Sequence, residues 1–329
     1  MHHFKSDLQK IGVYTSGGDA PGMNAAIRAV VRTAILHGIE VTGIIQGYTG
    51  LIENEFMPLS LSSMANIIQR GGTMLKTGRA PEFHNKDVRA KAVANARKEG
   101  LDALVCIGGD GSFTGAHLLW QEHQFPILGV PGTIDNDIAE TDSTIGFDTA
   151  VNIALEAIDR IRDTAASHDR LFIVEVMGRD SGFIATDVGI AGGAEDIFIP
   201  ENPTTADQAI ERIRRGMARG KRSSILVAAE GHKPGRAYDL AEAIRKKSGF
   251  DAKVCILGHI QRGGSPTASD RILASRLGAA AVEALKRGEC DAMAGVQNGN
   301  VVIVPFDKVI GHKKQVKEEL VQLLRTLSI

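Results

Sequence analysis

The sequence predicts an α/β protein built on mainly parallel sheets. Short β-branched apolar runs alternate with longer amphipathic stretches along the 329 residues, the pattern of strands and helices wound in turn. The short runs are nearly continuous in Val, Ile and Leu, as in strands buried on both faces. The unusual polar and glycine-rich residues gather where these runs end, which is where open α/β sheets bind ligands.

Strands are expected over 11–16 (IGVYTS), 40–47 (EVTGIIQG), 102–109 (DALVCIGG), 125–132 (FPILGVPG), 170–178 (RLFIVEVMG), 223–231 (SSILVAAEG), 253–261 (KVCILGHIQ) and 300–306 (NVVIVPF). The first helix is read in MNAAIRAVVRTAILHG. There Ile27, Val30, Val31, Ala34 and Ile35 follow helical spacing, and Gly38 supplies the left-handed residue beyond the end. Further helices are expected over roughly 61–70, 86–99, 112–123, 147–165, 205–219, 237–247, 268–287 and 312–327. No Pro/Ser linker, low-complexity tract or fixed-period repeat separates domains, so the long helix after Gly146 is the expected crossing point.

Composition sets the class. Hydrophobic residues are 43% and charged residues 23%, with a net charge of −1. The chain can bury a substantial core, and its charge balance marks neither a nucleic-acid binder nor a membrane-surface protein. Cys106, Cys255 and Cys290 are few, odd in number and far apart, which argues against a disulfide or metal framework and for a reducing cytoplasm. The start, MHHFKSDLQK, lacks the apolar stretch of an export signal, and no run of 18 apolar residues occurs.

Six strand ends carry unusual residues: TSGGDAPGMN, GGDGS, GTIDND, MGRDSG, EGH and GHIQRGG. Six such ends are expected to converge on one sheet edge. Gly17-Gly18 and Gly108-Gly109 let backbone N–H groups approach phosphate oxygens at helix N-termini. Asp19 and Asp110 would repel a bare phosphate; they serve either as helix caps or as partners of Mg²⁺ beside a nucleotide. Asp135 and Asp137 stand two apart in an extended or turn segment, so both can face one cleft, one taking a proton from a hydroxyl and the other holding Mg²⁺ or tuning its neighbour's pKa. A solvated turn is the alternative. Arg79, Arg170, Arg179, Lys253 and Arg262 offer phosphate-binding charge or, singly, surface ion pairs. His259 is either a ligand contact or a satisfied core histidine, and Arg28 and Arg32 lie one helical turn apart on a polar face. GMARGKRSS departs from a P-loop, and Gly109, Gly111 and Gly115 form only a weak dinucleotide signal. Together these residues point to phosphoryl transfer onto an anionic, hydroxylated small molecule.

The runs GVYTSGGDAPGMNAAIR, RGGTMLKTGRAPEF, IGGDGS, GVPGTIDNDI, TIGFDTA, AIDRIRDTA, VEVMGRDSG, AGGAE and LGHIQRGGSP, in this order from about Ile11 to about Arg276, resemble the bacterial type of the ATP-dependent 6-phosphofructokinase family. The resemblance implies two similar three-layer αβα domains, one inserted into the other. The larger, ATP-binding one spans 1–146 plus about 261–311, and the smaller, sugar-phosphate-binding one spans 147–260 plus about 312–329. It implies phosphorylation of fructose 6-phosphate at the 1-hydroxyl, the committed step of glycolysis. ATP is then held by Gly18, Arg79, Ala80, Gly109, Asp110, Gly111 and Ser112, with Mg²⁺ on Asp110. Asp135 is the general base, Thr133 and Asp137 hold the substrate and metal region, and Arg79 and Arg179 brace the transferring group. Met177, Gly178, Glu230, His259 and Arg262 bind the sugar phosphate. Arg170 and Lys253 are expected to reach in from a neighbouring subunit of a cytoplasmic homotetramer.

Two positions bear on the donor. Pyrophosphate-using members of the family carry Asp where this chain has Gly111 and Lys where it has Gly132, so glycine at both predicts ATP. Lys253 stands where the family usually has Arg; it keeps the charge and loses the planar fork, which predicts a looser hold on the sugar phosphate. Arg28, Arg32, Arg162, Gly193, Glu195, Arg219, Lys221 and Arg222 match the family's effector site in whole or in charge. Leu61, Asn66 and Ser223 depart from it, so weak or altered effector responses are expected. The rival readings are a pyrophosphate-dependent enzyme, a regulatory binding protein lacking a base, and a nicotinamide-linked dehydrogenase.

Overall fold

The structure, a computed structural model, describes residues 2–168, 170–231 and 233–328. The first stretch of the chain holds β1 (His2–His3), β2 (Lys10–Ser16), α1 (Met23–Leu36), β3 (Glu40–Ile44), α2 (Tyr48–Glu53), β4 (Phe56–Leu59), a 3-10 turn (Pro81–His84), α3 (Lys86–Lys98), β5 (Ala103–Gly108), α4 (Asp110–His123) and β6 (Ile127–Pro131). The middle holds α5 (Phe147–His168), β7 (Leu171–Val176), α6 (Phe183–Ala191), β8 (Asp196–Phe198), α7 (Ala206–Ala218), β9 (Ser224–Ala229), α8 (Arg236–Ser248) and β10 (Ala252–Ile256). The last part holds a 3-10 turn (Gly258–Arg262), α9 (Ala268–Lys286), β11 (Glu289–Cys290), β12 (Ala292–Gln297), β13 (Asn300–Pro305), α10 (Phe306–Val309) and α11 (Glu318–Leu327).

These elements form two compact units. One comprises Met1–Ile134, Ile138–Asp148 and Arg262–Lys314; the other comprises Asp135–Asp137, Thr149–Gln261 and Gln315–Ile329. The first unit carries a seven-stranded sheet in the order β13-β12-β6-β5-β2-β3-β4. Its five inner strands run parallel, and β13 and β4 close the two edges antiparallel. Alternate residues of β2 and β5 face opposite layers. Tyr14, Leu104 and Cys106 pack with α2, α3 and α4 in one buried cluster, and α1 and α9 pack together and against the sheet. Arg89 of α3, 5% exposed, donates to both carboxylate oxygens of Glu122 on α4 at 2.8 and 2.6 Å. That bond holds the Glu122 carboxyl below its ordinary range.

The second unit carries a four-stranded, fully parallel sheet in the order β10-β7-β9-β8. Leu171, Ile173, Leu226 and Ala228 pack under Ala209, Ile210 and Ile213 of α7 and Ala237 and Ile244 of α8. The α6 and α11 helices pack together in the same unit. Among the described residues no helix is long and apolar enough to cross a membrane.

The sheet expectation needs correction in one respect. The six chemistry-bearing strand ends do not share one edge; three close strands of the first sheet and three close strands of the second. The helix expected at 61–70 is a run of turns. Ser63 Oγ donates to Ser60 O at 2.8 Å and accepts from Ser60 N at 2.8 Å, and Asn66 is left-handed at φ 54°. Serine side chains there compete for the backbone bonds a helix needs. The strand expected to run to Gln261 stops at Ile256, because Gly258 turns left-handed at φ 54° and opens the 3-10 turn. The last helix begins at Glu318 instead of 312, since Lys313 pairs with Ile138 in an isolated antiparallel bridge.

Candidate active site

The site residues of the first unit hang from three neighbouring strands that finish level. Ser16 of β2 pairs with Gly108 of β5, and Gly108 pairs with Pro131 of β6. The connections from β2 and β5 leave to opposite sides of the sheet, so the gap between them is a topological switch point. Gly17 is left-handed at φ 88°. A Cβ on Gly108 would lie 2.7 Å from both Ser16 O and Ser112 Oγ, so only glycine fits there.

Gly109 caps the 14-residue α4 without a side chain; the N–H groups of Ser112 and Phe113 both turn back to its carbonyl, at 2.9 and 3.0 Å. Asp110 and Gly111 are the first two helical residues and are exposed. Asp110 is therefore not the cap that one sequence reading allowed. It places a carboxylate at the positive end of a helix whose first N–H groups lack intrahelical partners. A Cβ on Gly111 would meet nothing within 4 Å.

A strap over residues 73–80 lies across this edge. Thr15 Oγ1 donates to Lys76 O at 2.7 Å, Thr77 Oγ1 to Gly17 O at 2.9 Å, and Gly17 N to Gly78 O at 3.2 Å. Arg79 and Ala80 end the strap, with Arg79 exposed. Arg262, assigned to the sugar phosphate by resemblance, lies here: its Nη1 donates to Asp19 O at 2.9 Å, and a Cβ on Gly18 would lie 2.8 Å from that nitrogen. Gly132 has its own packing reason, since a Cβ would come within 3.1 Å of Ile107 and of Met23. Thr133, half-buried, accepts from Thr144 Oγ1 through its carbonyl at 2.7 Å.

The second unit repeats the device. The strands β10, β7 and β9 also end level, with Ile256 paired to Glu175 and Val176 to Ala229. Met177 N donates to Gln261 Oε1 at 2.8 Å. Gly178 sits at φ 138°, and a Cβ there would lie 2.5 Å from Ser181 O. Arg179 is left-handed at φ 50° and exposed, a conformation rarely kept by a non-glycine residue unless its surroundings impose it. Ser181 N closes this turn on Gly178 O at 2.9 Å, and Ser181 Oγ donates to Asp135 O at 2.8 Å. Asp135 is 7% exposed. Asn136 is left-handed at φ 53°, and Asp137 is exposed. The two acids thus stand in different environments. The left-handed Asn136 between them makes this segment a turn instead of an extended strand.

Glu230 is buried, and its N–H donates to Val176 O at 2.9 Å. The His259 ring is exposed, which removes the core-histidine reading. Arg170 is exposed ahead of β7, and its carbonyl accepts from Ser224 N at 3.2 Å. Lys253, exposed on the edge strand β10, bonds Asp251 at 2.7 Å and holds that carboxyl below its ordinary range. Of the thiols, Cys106 and Cys290 are pushed up to about 12, burial being the largest cause, so neither is a thiolate near neutrality.

The residues matched to an effector site divide between the units. Arg28 is half-buried and Arg32 exposed on α1. In the second unit Arg162 donates to Gly192 O and to Gly193 O, the latter at 3.0 Å. The buried Glu195 pairs with Lys221 and accepts from Ile225 N. Arg219 ends α7, and Arg222 is exposed beyond it. Leu61 is 49% exposed, and Ser223 is half-buried.

Sequence reading missed several residues that hold these turns. Glu175, fully buried, accepts from Gly235 N and Ala237 N at 2.7 and 2.8 Å, fixing the loop after Glu230. Its signal was there to read: a charge inside the apolar run LFIVEV must be satisfied if the strand is buried. Gln261 and Ser181 lay inside quoted motifs without a role. Among the described residues no group of three His, Cys, Asp or Glu could hold a metal. Asp110 at a helix N-terminus suits Mg²⁺ arriving with a nucleotide, which keeps phosphate and water ligands and needs one or two carboxylates.

The phosphofructokinase family profile matches residues 10–285. The chain is 57% identical over 322 residues to ATP-dependent 6-phosphofructokinase 1 of Thermus thermophilus, covering 98% of this chain and 100% of that one. It is 54% identical over 320 residues to ATP-dependent 6-phosphofructokinase 2 of Bacteroides thetaiotaomicron, covering 97% and 98%. The phosphofructokinase structure from Saccharomyces cerevisiae superposes with a TM-score of 0.85 at 36% identity, over 92% of this chain and 44% of that chain. A pyrophosphate-dependent phosphofructokinase from Marinobacter aquaeolei shares the fold, with a TM-score of 0.81 at 24% identity over 96% and 91%. The level strand ends, the glycine turns and the match over most of the sequence lead to one conclusion: this chain belongs to the phosphofructokinase family.

Proposed function

We propose that this protein is an ATP-dependent 6-phosphofructokinase, moving the γ-phosphoryl group of ATP to the 1-hydroxyl of fructose 6-phosphate. The observation that carries the donor is Gly111, exposed in the first turn of α4 with open space where a side chain would stand, in a chain 57% identical to an ATP-dependent relative. The backbone N–H groups at Gly109–Gly111 hold phosphate oxygens at the helix N-terminus, with Ser112 closing the turn beneath them. Gly18, Arg79 and Ala80 complete the nucleotide cradle.

Asp135 is the general base. It takes the proton of the 1-hydroxyl as that oxygen bonds to the γ-phosphorus; the bond from the γ-phosphorus to the bridging oxygen breaks, and ADP leaves. Thr133 orients the sugar. Arg79 and Arg179 offer guanidinium charge to the equatorial oxygens, where a loose transition state spreads its charge. Asp110 and Asp137 would hold Mg²⁺, which would supply neutralising charge for the β- and γ-phosphates. Met177, Gly178, Glu230, His259 and Arg262 hold the sugar phosphate, joined by Arg170 and Lys253 from a neighbouring subunit of a homotetramer. The enzyme works in the cytoplasm.

A coupled assay on fructose 6-phosphate tests the reading. Turnover is expected with ATP and Mg²⁺, and none with pyrophosphate; the opposite pattern overturns it. A smaller effect is expected at Lys253. Lys253→Arg restores a planar fork at a position meant to meet phosphate, so the KM for fructose 6-phosphate should fall by about two- to fivefold at unchanged kcat, the scale of part of one charged hydrogen bond. A rise in that KM counts against the assignment.

A further inference from the structure

Asn24 has no place in the chemistry above, yet it is an amide on the apolar side of a helix and only 3% exposed. It stands second in α1. Its Nδ2 donates to Arg70 O at 3.1 Å and to Gly71 O at 3.2 Å, and its Oδ1 accepts from Met74 N at 2.7 Å. One side chain thus binds three backbone groups of the segment that leads into Arg79, about fifty positions along the chain. Gly71 is pressed against the far side, where a Cβ would lie 2.2 Å from Gly264 O. On either side of Met74 the strap is held by Thr15, whose Oγ1 lies 2.9 Å from Thr73 Oγ1 and donates to Lys76 O at 2.7 Å, and farther on by the bonds of Thr77 and Gly78 to Gly17.

Each of these anchors belongs to β2 or to the turn and helix that follow it. The first glycine turn and the strap are therefore placed by the same element, and Asn24 is the anchor at the upstream end. A buried amide with its bonds made is specific in direction; removing it takes the partner from two carbonyls and one N–H in part-buried bonds, so the segment loses three directional ties at once.

We infer that Asn24 is the positioning residue of the nucleotide-binding strap: its amide, bonded to the backbone of Arg70, Gly71 and Met74, sets where Arg79 and Ala80 stand for ATP. The inference rests on the reading of this edge as the ATP site, and its test has one arm independent of that reading.

In Asn24→Ala, kcat/KM for ATP is expected to fall by roughly tenfold or more, the scale of one to two net hydrogen bonds, while the KM for fructose 6-phosphate stays within about twofold. Limited trypsin digestion without ligand is the second arm. Arg70, Lys76 and Arg79 are exposed, and cleavage after them should accelerate by about tenfold while sites elsewhere keep their rates, because only local opening is eased. Asn24→Asp guards against a variant that does not fold. It keeps the size and the acceptor for Met74 N, suits a helix N-terminus, and sets a carboxylate against two carbonyls; the same strap-selective cleavage is expected. Unchanged strap cleavage in both variants overturns the inference, as does an equal rise in both KM values. If the unmodified enzyme uses pyrophosphate and not ATP, the functional reading fails, and the cleavage pattern still decides whether Asn24 holds the strap.

Discussion

Asp135→Asn is expected to lower kcat by roughly 10²–10⁴-fold, the usual worth of a positioned general base, with both KM values changing by less than about threefold. The substitution is close to isosteric, so it removes the proton acceptor and little else. The main chain at this position is held independently of the side chain, since Ser181 Oγ bonds the carbonyl of residue 135 at 2.8 Å. That bond survives the change, and with it the link to the turn that carries Arg179. Asp135 is also 7% exposed, so water cannot readily take over as acceptor. Asp135→Ser is expected to lose kcat to a similar degree. Steady-state kinetics with each substrate saturating separates the outcomes. A kcat within about tenfold of the unmodified enzyme would remove Asp135 from the role, and a loss confined to KM would make it a binding residue.

Much of the architecture was legible because parallel strands announce themselves. The runs at 11–16, 102–109 and 125–132 are apolar on both faces, and the structure places β2, β5 and β6 there side by side. What could not be read was which strands share a sheet. Glycine-rich ends look alike whether they close one sheet or two, and hydrophobic periodicity carries no partner information. The hairpin of β12 and β13 was half seen. AMAGVQ is small and polar-tipped and carries no clear strand pattern, although the Asn298-Gly299 pair after it, at φ 49° and 77°, is the dipeptide that tight hairpins prefer. The segment at 61–70 misled for the opposite reason: its apolar spacing fits a helix, and its serines do not. At the candidate site, the residues that would touch a ligand were visible as oddities. Asn24, Glu175, Ser181 and Gln261 were not, because their work is to hold other backbones, and that shows only once distant segments are brought together.

Gly111→Asp is expected to cost ATP use specifically, lowering kcat/KM for ATP by roughly 10²–10³-fold. A carboxylate about 4 Å from a phosphate oxygen repels it by up to about 4 kcal/mol at the effective dielectric near a surface, and each factor of ten takes about 1.4 kcal/mol. The protein itself gives the new side chain no reason to disturb the fold. No atom lies within 4 Å of the added Cβ, and the residue is the second of α4, where an acidic side chain is favourable to the helix dipole. The thermal midpoint should therefore hold within about 2 °C or rise, and the KM for fructose 6-phosphate should stay within about twofold. Gly132 offers no such clean test. A side chain there must displace Ile107 and Met23, each 3.1 Å from its Cβ, so a Lys at 132 would mix a packing defect with any change in donor. The two glycines thus answer to different constraints, one to the space a nucleotide needs and one to the core beneath it. Unchanged ATP kinetics in Gly111→Asp, or a lower midpoint with equal loss for both substrates, would end the claim that Gly111 selects the donor.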